Sequence, residues 1–325
     1  MRVLIAPLNW GLGHAARCIP LITRHLRAGD DVVLGGDGES LALLKKHFPN
    51  LPYCRLAPLD IKYSKGRSQI WAIMRAMPEL LFSSIADYKT LKRLLKTEHF
   101  DLIISDNRFG LYSSKVKCVY ITHQLHIRLP HSLSFLEPLA ERLHARIIKH
   151  YSECWVPDNA DKPWLAGELS HPANKPLNTT YIGPLSRFSD SPSCKENGQW
   201  STNRPEVVAV LSGPEPQRTL LEEKIMNEWH GRQEQVLIVR GLPGRPNMRV
   251  RRDNIILVPY ISDKELSEAL CSASVVISRS GYSSIMDYAV LGLLDKAKRG
   301  ALCLTLLPTP GQPEQEYLSM LHSTP

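Results

Sequence analysis

The sequence predicts an α/β protein built from two doubly wound parallel sheets. Short, continuous apolar runs alternate with longer helical stretches along the whole chain, as is typical of parallel strands covered by helices on both faces. The runs fall into two sets, and the polar stretch 185–204, rich in Ser, Pro, Gly and Asn, separates them. A chain of 325 residues is long enough for two domains of ordinary size.

The strand-like segments define the two sets. RVLIAP, DVVLGG, DLIISD, KCVYITH, ECWVPD and TTYIGP form the first, and EVVAVLSG, QVLIVRG, NIILVPY, SVVISRSG and ALCLTLLP form the second. After the first strand we expect a glycine turn and a helix that begins near His14. We therefore predict Rossmann-like domains at 1–165 and 205–325, joined by a connection at 166–204.

Composition narrows the class of protein. An apolar fraction of 43% with 22% charged residues is typical of a folded globular chain. No apolar run approaches the roughly 18 residues of a membrane span, and Asn9, His14 and Arg17 interrupt the N-terminal run where a secretory signal needs an apolar core. We predict a cytoplasmic protein. Its seven scattered cysteines, with no CxxC pair, argue against a disulfide framework or a zinc site, and we expect reduced core thiols.

The net charge of +8 indicates an anionic partner. The basic residues are dispersed over 89–96, 141–150 and 246–253, and no nucleic-acid recognition motif is present, so a nucleic-acid partner is not expected. Dispersed Lys and Arg are most often a solvated surface. The alternative is an anionic membrane surface, because residues 135–151 alternate apolar and basic side chains at helical spacing.

Candidate site residues follow the strands, since ligands of open α/β sheets bind beyond the strands' carboxyl ends. In the GLGH turn, glycines allow close backbone approach and the following helix N-terminus favours an anion. A dinucleotide fingerprint is weak here: Ala16 takes the third glycine's place, and glycines precede Asp37 after the second strand.

Three later turns carry similar chemistry. Ser212 and Gly213 precede a helix and could receive a phosphate, although no P-loop GK[ST] follows. In SRSGYSSIMD, a Ser-Gly turn precedes Asp287, which could bind the two hydroxyls of a ribose. PTPGQPEQEY places amides and carboxylates after the last strand, where they could read sugar hydroxyls. Each motif alone is equally compatible with ordinary turn chemistry.

The ordered set of motifs resembles the GT-B glycosyltransferases. It is similar to the branch that contains the lipid-linked N-acetylglucosaminyltransferase of peptidoglycan synthesis and the diacylglycerol sugar transferases, and most of all to a bacterial and archaeal subgroup carrying SDNR and THQL. The matching motifs are GLGHAAR, ISDNRFG, THQL, IGPLSR, LSGPEPQ, VPYISDKEL, SRSGYSSIMD and PTPGQPEQEY, and they cover about residues 2–318.

The resemblance implies two facing Rossmann-like domains, with the acceptor in the first and a nucleotide-sugar donor in the second. The implied donor residues are Tyr260 and Ile261 at the base, Asp287 at the ribose, Arg187, Ser212, Gly213, Ser280, Gly281 and Ser283 at the diphosphate, and Gln312, Glu314 and Gln315 at the sugar. The implied acceptor residues are Gly11, Gly13, Arg108 and Gln124, with His14, Asp106 and His123 as candidate catalytic groups.

The implied reaction moves a hexosyl group from a nucleotide-sugar, by preference a UDP-sugar, to a lipid-linked or cell-envelope acceptor. It proceeds with inversion and without a metal or other cofactor, in keeping with the absence of a DxD motif. His14 is the first candidate for the base, and Asp106 and His123 are its rivals. The enzyme would work at the inner face of the cell membrane.

Two alternatives remain open at this stage. One is an epimerase-like enzyme acting on free sugar nucleotides, and the other is a degenerate, non-catalytic protein that binds sugar nucleotides or membranes. The chain stops at EYLSMLHSTP, where relatives continue with further helices. From this ending we expect a truncated or frameshifted product with weak or no activity.

Overall fold

The computed structural model describes residues 1–58, 70–191, 194, 205–213, 215–246 and 248–322, with the backbone alone for residues 70–77. Two parallel sheets dominate it, as the sequence predicts. The inner strands of both sheets are buried along most of their length, because helices cover both faces.

The first sheet has seven parallel strands in the order β3-β2-β1-β4-β5-β6-β7. The strands are β1 (Arg2–Pro7), β2 (Asp31–Gly36), β3 (Tyr53–Arg55), β4 (Leu102–Asp106), β5 (Lys117–Ile121), β6 (Glu153–Val156) and β7 (Thr179–Tyr181). The helices of this half are α1 (Leu12–Arg27), α2 (Gly38–His47), α3 (Ile70–Thr97) and α4 (Glu137–Ile148), with 3-10 helices at His131–Leu136 and Gly167–Leu169.

The second sheet has six strands in the order β10-β11-β9-β8-β12-β13. The strands are β8 (Val207–Val210), β9 (Val236–Val239), β10 (Val250–Arg252), β11 (Ile255–Val258), β12 (Val275–Arg279) and β13 (Cys303–Leu307). All are parallel except the edge strand β10, which runs antiparallel to β11. The helices are α5 (Gln217–Trp229), α6 (Asp263–Ser272), α7 (Tyr282–Leu291), α8 (Leu293–Lys298) and α9 (Pro313–His322).

The predicted fold class is confirmed, and each strand-like segment contains a strand. The structure adds β3 and β10, which the sequence analysis missed. Strand β7 lies inside the stretch predicted as the connection, 166–204, and pairs with β6 of the first sheet. The domain boundaries themselves stay a prediction.

Local sequence signals explain where several helices begin and end. Helix α6 begins with a capping box, in which the Ser262 side chain accepts from the Glu265 N–H and Glu265 bonds back to the Ser262 N–H. Helix α4 has Pro138 in its first turn, where a missing N–H costs no helical bond. Helix α7 ends at Gly292 in the left-handed conformation that glycine adopts easily.

The two halves share one packed core rather than meeting at a loose linker. Helix α1 of the first half packs on α7 of the second, and one buried apolar cluster extends from Val3 to Leu318. Helix α9 reaches back across the boundary. Its Tyr317 hydroxyl accepts from the Glu168 N–H at 3.0 Å, and His322 donates to the Leu165 carbonyl at 2.7 Å.

The strand order reverses between β1 and β4 in the first sheet and between β8 and β12 in the second. Such reversals open a crevice at the carboxyl ends of the strands, because the connecting helices leave toward opposite faces of the sheet. The turns after these four strands contain Gly11, Asn107, Gly213 and Gly281. The topology therefore places these four turns in one region. Each turn contains a predicted site residue or directly adjoins one.

Two further observations bear on the sequence predictions. Cys194 and Cys271 form a disulfide, with their Cα atoms 5.2 Å apart, so the expectation of reduced thiols is wrong for this pair. The other five cysteines are free thiols. Among the residues that the structure describes, no helix combines the length and apolar character needed to cross a membrane.

Candidate active site between the two sheets

A cavity of about 220 Å³ lies where the carboxyl ends of the two sheets face each other. Residues of both halves line it, which fits a ligand held between them. Twelve of the predicted site residues are among its walls: Gly11, Gly13, His14, His123, Gln124, Ser212, Gly213, Gly281, Ser283, Gln312, Glu314 and Gln315.

The glycine turn after β1 lets the two halves approach closely. Gly11 has φ of 75°, a conformation that favours glycine over residues with a side chain. A Cβ atom at Gly13 would lie 2.8 Å from the Ser283 hydroxyl oxygen, too close for any other residue without a shift. The need for glycine here comes from the packing of α1 against α7.

His14, Asp106 and Arg17 form a buried network at the floor of the cavity. His14 Nδ1 lies 2.9 Å from Asp106 Oδ1, and Arg17 donates from Nε to Asp106 Oδ2 at 2.6 Å and from Nη2 to Oδ1. Asp106 is fully enclosed at the end of β4, and the Arg17 side chain is 1% exposed. The carboxylate is thus held by a two-pronged Arg contact and a ring nitrogen.

The charges of this network follow from its contacts. Burial by itself raises the pKa of a carboxyl, but Arg17 and His14 outweigh it and hold the pKa of Asp106 far below its usual range. Burial lowers the pKa of His14; Asp106 opposes this and Arg17 adds to it. Neutral His14 therefore faces an ionised Asp106.

The His14 tautomer is set by two competing partners. A carboxylate accepts, so Asp106 favours a proton on Nδ1, whereas Arg17 Nη2, 2.9 Å from the same nitrogen, favours the proton on Nε2. With the proton on Nδ1, the Nε2 lone pair is free to accept a proton from a ligand. Asp106 and Arg17 therefore decide whether His14 acts as an acceptor or a donor toward the cavity.

His123 lies across the same cavity and uses both ring nitrogens. Arg17 Nη1 approaches its Nδ1 at 3.3 Å, and its Nε2 lies 2.7 Å from Glu314 Oε1. Its ring stacks on Tyr282, with centroids 4.2 Å apart, and Tyr282 donates to the Pro157 carbonyl at 2.6 Å. Since an Arg donor and a carboxylate acceptor occupy its two nitrogens, His123 serves better to tie the halves together than as a free base.

The start of α7 and the turn after β8 give the cavity its anion-binding wall. Gly281 and Ser283 lie at the first turn of α7, where unpaired N–H groups and the helix dipole favour negative charge. Ser212 and Gly213 face them from the turn after β8. Ser280 is not in this wall: it is fully buried, and its hydroxyl donates to the Gln315 carbonyl at 2.7 Å.

Four predicted donor residues form a second, separate cluster: Arg187, Tyr260, Ile261 and Asp287. Asp287 accepts from the Ser186 hydroxyl at 2.5 Å, and its other oxygen lies 3.5 Å from Arg187 Nε. Burial, opposed by Arg187 and Ser186, raises the pKa of Asp287 to about 6. None of the four predicted residues lines the cavity.

Helix α2 of the first half covers this second cluster. His47 Nε2 lies 2.9 Å from the Tyr260 hydroxyl, and its Nδ1 lies 3.7 Å from Asp263. The Lys46 ammonium lies over the Tyr260 ring at 4.3 Å. Tyr260 is 7% exposed as a result, and Ile261 is 4% exposed.

Arg108, a predicted acceptor residue, lies away from the cavity. Its side chain is fully enclosed, and it donates to Asp87 at 2.8 Å, to Asp37 and to the Pro7 carbonyl at 3.0 Å. These contacts neutralise two carboxylates and join β1 to the neighbouring turns. The guanidinium has no face toward the cavity, so its structural setting argues against the expected acceptor contact.

Six residues of the cavity wall are not among the individual site residues predicted from the sequence, although all but Arg17 lie in the predicted strand-end stretches: Trp10, Leu12, Arg17, Asn107, Tyr282 and Ser284. Arg17 had a readable signal, because it follows His14 by three residues and so shares its helix face. The role of Tyr282 depends on stacking with a residue distant in sequence, which no local pattern reveals. Within the described ranges, no group of three or more His, Cys, Asp or Glu has a metal-holding arrangement.

The chain is similar in sequence to curated proteins and similar in fold to solved structures. No family model matches it. An uncharacterized glycosyltransferase of Methanosarcina acetivorans is 26% identical over 203 residues, which are 58% of this chain and 50% of that protein. The chain thus spans about half the length of this curated relative.

Solved structures match over nearly the whole chain. The glycotransferase of kitacinnamycin matches with a TM-score of 0.60 and 13% identity, over 98% of this chain and 83% of that one. The Streptomyces sp. SF2575 glycosyltransferase SsfS6, solved with thymidine diphosphate, matches with a TM-score of 0.57 and 12% identity, over 99% and 86%. At these identities the similarity shows the fold: the chain has the GT-B architecture of two facing α/β domains.

Proposed function

We propose that this protein is a glycosyltransferase that moves a hexosyl group from a nucleotide-sugar to a hydroxyl acceptor. The observation that carries the proposal is a single cavity with a buried His14–Asp106–Arg17 network on one wall and the N-terminus of α7 on the other. One wall supplies a base, and the other supplies an anion site. Transfer of a glycosyl group away from a diphosphate needs both.

His14 is the proposed base. With its proton on Nδ1 and directed to Asp106, it would take the acceptor hydroxyl's proton on Nε2 as that oxygen attacks the anomeric carbon. Its lowered pKa keeps it neutral and ready to accept at neutral pH. Asp106 would orient the ring and stabilise the imidazolium, as carboxylates do in other His-based sites.

The departing nucleoside diphosphate would sit on the opposite wall. Negative charge develops on the leaving oxygen, and the first turn of α7, together with Ser212 and Gly213, offers N–H and O–H donors to it. Attack from the side of His14 and departure toward α7 would invert the anomeric centre. Gln312, Glu314 and Gln315 are the proposed contacts to the sugar, because they line the cavity at the start of α9.

The nucleoside would bind at the second cluster. Asp287 would take the ribose hydroxyls, Arg187 would neutralise phosphate charge, and Tyr260 and Ile261 would flank the base. Support comes from the raised pKa of Asp287, whose second oxygen comes no closer than 3.5 Å to Arg187, and from Arg187 Nε, which makes no hydrogen bond within the described residues. Entry of a base would displace His47 from Tyr260.

The acceptor is proposed to be lipid-linked or part of the cell envelope, and reached from an anionic membrane surface. Large apolar side chains are exposed on α3, at Leu81, Phe82 and Ile85, and just before and within α4, with Phe135 74% exposed. Exposed apolar groups beside basic ones are typical of surfaces that bind membranes. Sedimentation with phosphatidylglycerol vesicles, compared with phosphatidylcholine vesicles alone, tests this part separately.

The donor proposal is tested by ligand-detected NMR with UDP, GDP and dTDP and their sugars. We expect saturation transfer to one nucleotide, lost in Asp287→Ala and retained in the surface variant His99→Ala. A folded sample that responds to none of the six ligand classes removes the donor proposal. Consumption of UDP-N-acetylglucosamine without any acceptor would instead favour an epimerase.

A further inference from the structure

We propose that a second cavity, at the opposite end of the first sheet from the candidate active site, binds a phosphate group. This cavity of about 510 Å³ lies among the C-terminal turns of α3, the loop before β5 and the turn after α4. Those loops lead into the amino ends of their strands. A strand of five residues spans about 17 Å, so this cavity and the active site are separate.

The described residues that line this cavity include several cations and no carboxylate. Lys92 and Lys96 project from α3, Lys115 lies before β5, and Lys149 and His150 follow α4. Within the described part of the chain, none of the four lysines forms an ion pair, whereas neighbouring Lys117 pairs with Glu153. Like charges that share one cavity repel each other, and a bound polyanion relieves that repulsion.

Helix ends explain only part of this arrangement. A cation in the last turn of a helix is favoured by the dipole, which accounts for Lys96 and Lys149. Lys115 lies in a loop, and Lys92 lies more than a turn inside α3, so neither gains in this way. Their presence at the same cavity points to an anion.

The remaining wall is aromatic and suited to a ligand. The Tyr112 ring stacks on His150 with centroids 4.6 Å apart, and Tyr88 packs on Tyr112 at 5.2 Å. The hydroxyls of Ser113 and Ser114 add donors on the same side. Phosphate esters are bound by this combination of ammonium and hydroxyl groups, and a flat ring beside the phosphate would meet an aromatic surface.

The phosphate could belong to a soluble metabolite or to a lipid headgroup. Tyr88 and Lys92 continue the helix face of Leu81 and Ile85, which are exposed apolar residues, so a lipid phosphate would enter with its chains along that face. The cavity chemistry is the same in both cases. This proposal does not depend on glycosyl transfer.

The test measures binding of inorganic pyrophosphate by calorimetry, and of vesicles of phosphatidylcholine with and without phosphatidic acid by sedimentation. The variant Lys92→Gln/Lys115→Gln/Lys149→Gln is compared with Lys89→Gln/Arg93→Gln/Arg146→Gln, which removes the same charge from exposed positions outside the cavity. We expect the first variant to weaken binding more than about tenfold, and the second less than about twofold at physiological salt.

The outcomes separate the two sources. If the cavity variant loses pyrophosphate binding and the control variant keeps it, the ligand is a soluble phosphate. If the cavity variant loses binding to phosphatidic acid vesicles and the control variant keeps it, the ligand is a lipid headgroup. Equal losses in both variants, or no binding of either probe by the parent protein, would overturn the proposal. Thermal melting of both variants, expected to match the parent because the substituted side chains are exposed, verifies folding.

Discussion

The molecule holds two buried clusters of similar composition, and the pKa values of their carboxyl groups are shifted in opposite directions. Asp106 and Asp287 both lie beside an Arg, yet the pKa of Asp106 is lowered and that of Asp287 is raised to about 6. Burial is comparable, so burial does not explain the difference. The contacts do: Arg17 donates twice to Asp106, whereas Arg187 stays 3.5 Å from Asp287 and is shared with Asp263.

The comparison teaches that hydrogen-bond geometry, more than the presence of a counter-ion, determines in which direction the pKa of a buried acid shifts. It also indicates different roles for the two carboxyl groups. Asp106 is fully satisfied and holds its neighbours in place, as a positioning group must. Asp287 accepts one short hydrogen bond from Ser186 and has a more distant Arg, which agrees with its proposed role of binding the hydroxyls of a ligand.

The largest expected effect comes from removing the proposed base. His14→Ala should lower kcat about 10²–10⁴-fold, because no other described residue of the cavity floor offers a free ring nitrogen. The measurement is release of nucleoside diphosphate from the donor identified by NMR, with a lipid extract as the acceptor source. His99→Ala, on an exposed surface, is the matched control; equal rates in the two variants would contradict the role of His14.

The same residue should also make kcat fall at acid pH. A base must be deprotonated, so kcat should fall as pH drops through the His14 pKa, which burial places below the ordinary value of 6.5. A rate profile measured from pH 4.5 to 8 locates this fall. A midpoint above pH 6.5 would show that His14 is not the group being titrated.

Removing each Arg in turn tests the comparison through stability. Arg17→Met should lower the free energy of unfolding by about 3–5 kcal/mol, because Asp106 is left buried without its main partner. Arg187→Met should cost less, since Asp287 already protonates near pH 6. Urea denaturation at pH 7.5 measures both, and Arg17→Met/Asp106→Asn should recover part of the loss.

A smaller effect should follow from neutralising Asp287. Between about pH 4 and pH 6 the folded protein holds a proton that the unfolded chain has released, so the parent loses stability as pH rises through this window. Asp287→Asn removes that loss, and its melting temperature relative to the parent should rise by about 2 °C or more from pH 4 to pH 7.5. An unchanged difference would mean that Asp287 is ionised in the folded state throughout.

The smallest expected effect concerns the cover over the second cluster. His47→Ala removes the contact with Tyr260, which is comparable to one hydrogen bond, so the Kd for the bound nucleotide should fall about two- to tenfold. Titration calorimetry measures it. Weaker binding would show that His47 contributes to the nucleotide site rather than blocking it.

The sequence predicted most of the fold because buried parallel strands are continuous apolar runs. Strands β3 and β10 were not predicted, because they are short and largely exposed at the sheet edges and therefore lack an apolar run. The strand-end rule located most of the cavity wall. It could not predict that Arg108 pairs with Asp37 and Asp87, or that Cys194 forms a disulfide with Cys271. Those pairings join residues far apart along the chain.

Helix α9 belongs to the second sheet by sequence, yet Tyr317 and His322 fasten it to the first half, and Glu314 at its start holds His123. The same helix is also tied to the second half, where the Ser280 hydroxyl donates to a carbonyl of α9. If the halves swing apart to admit a substrate, the ties on one side of α9 have to break. Helix α9 therefore couples the two halves, and it would move with whichever half keeps its contacts.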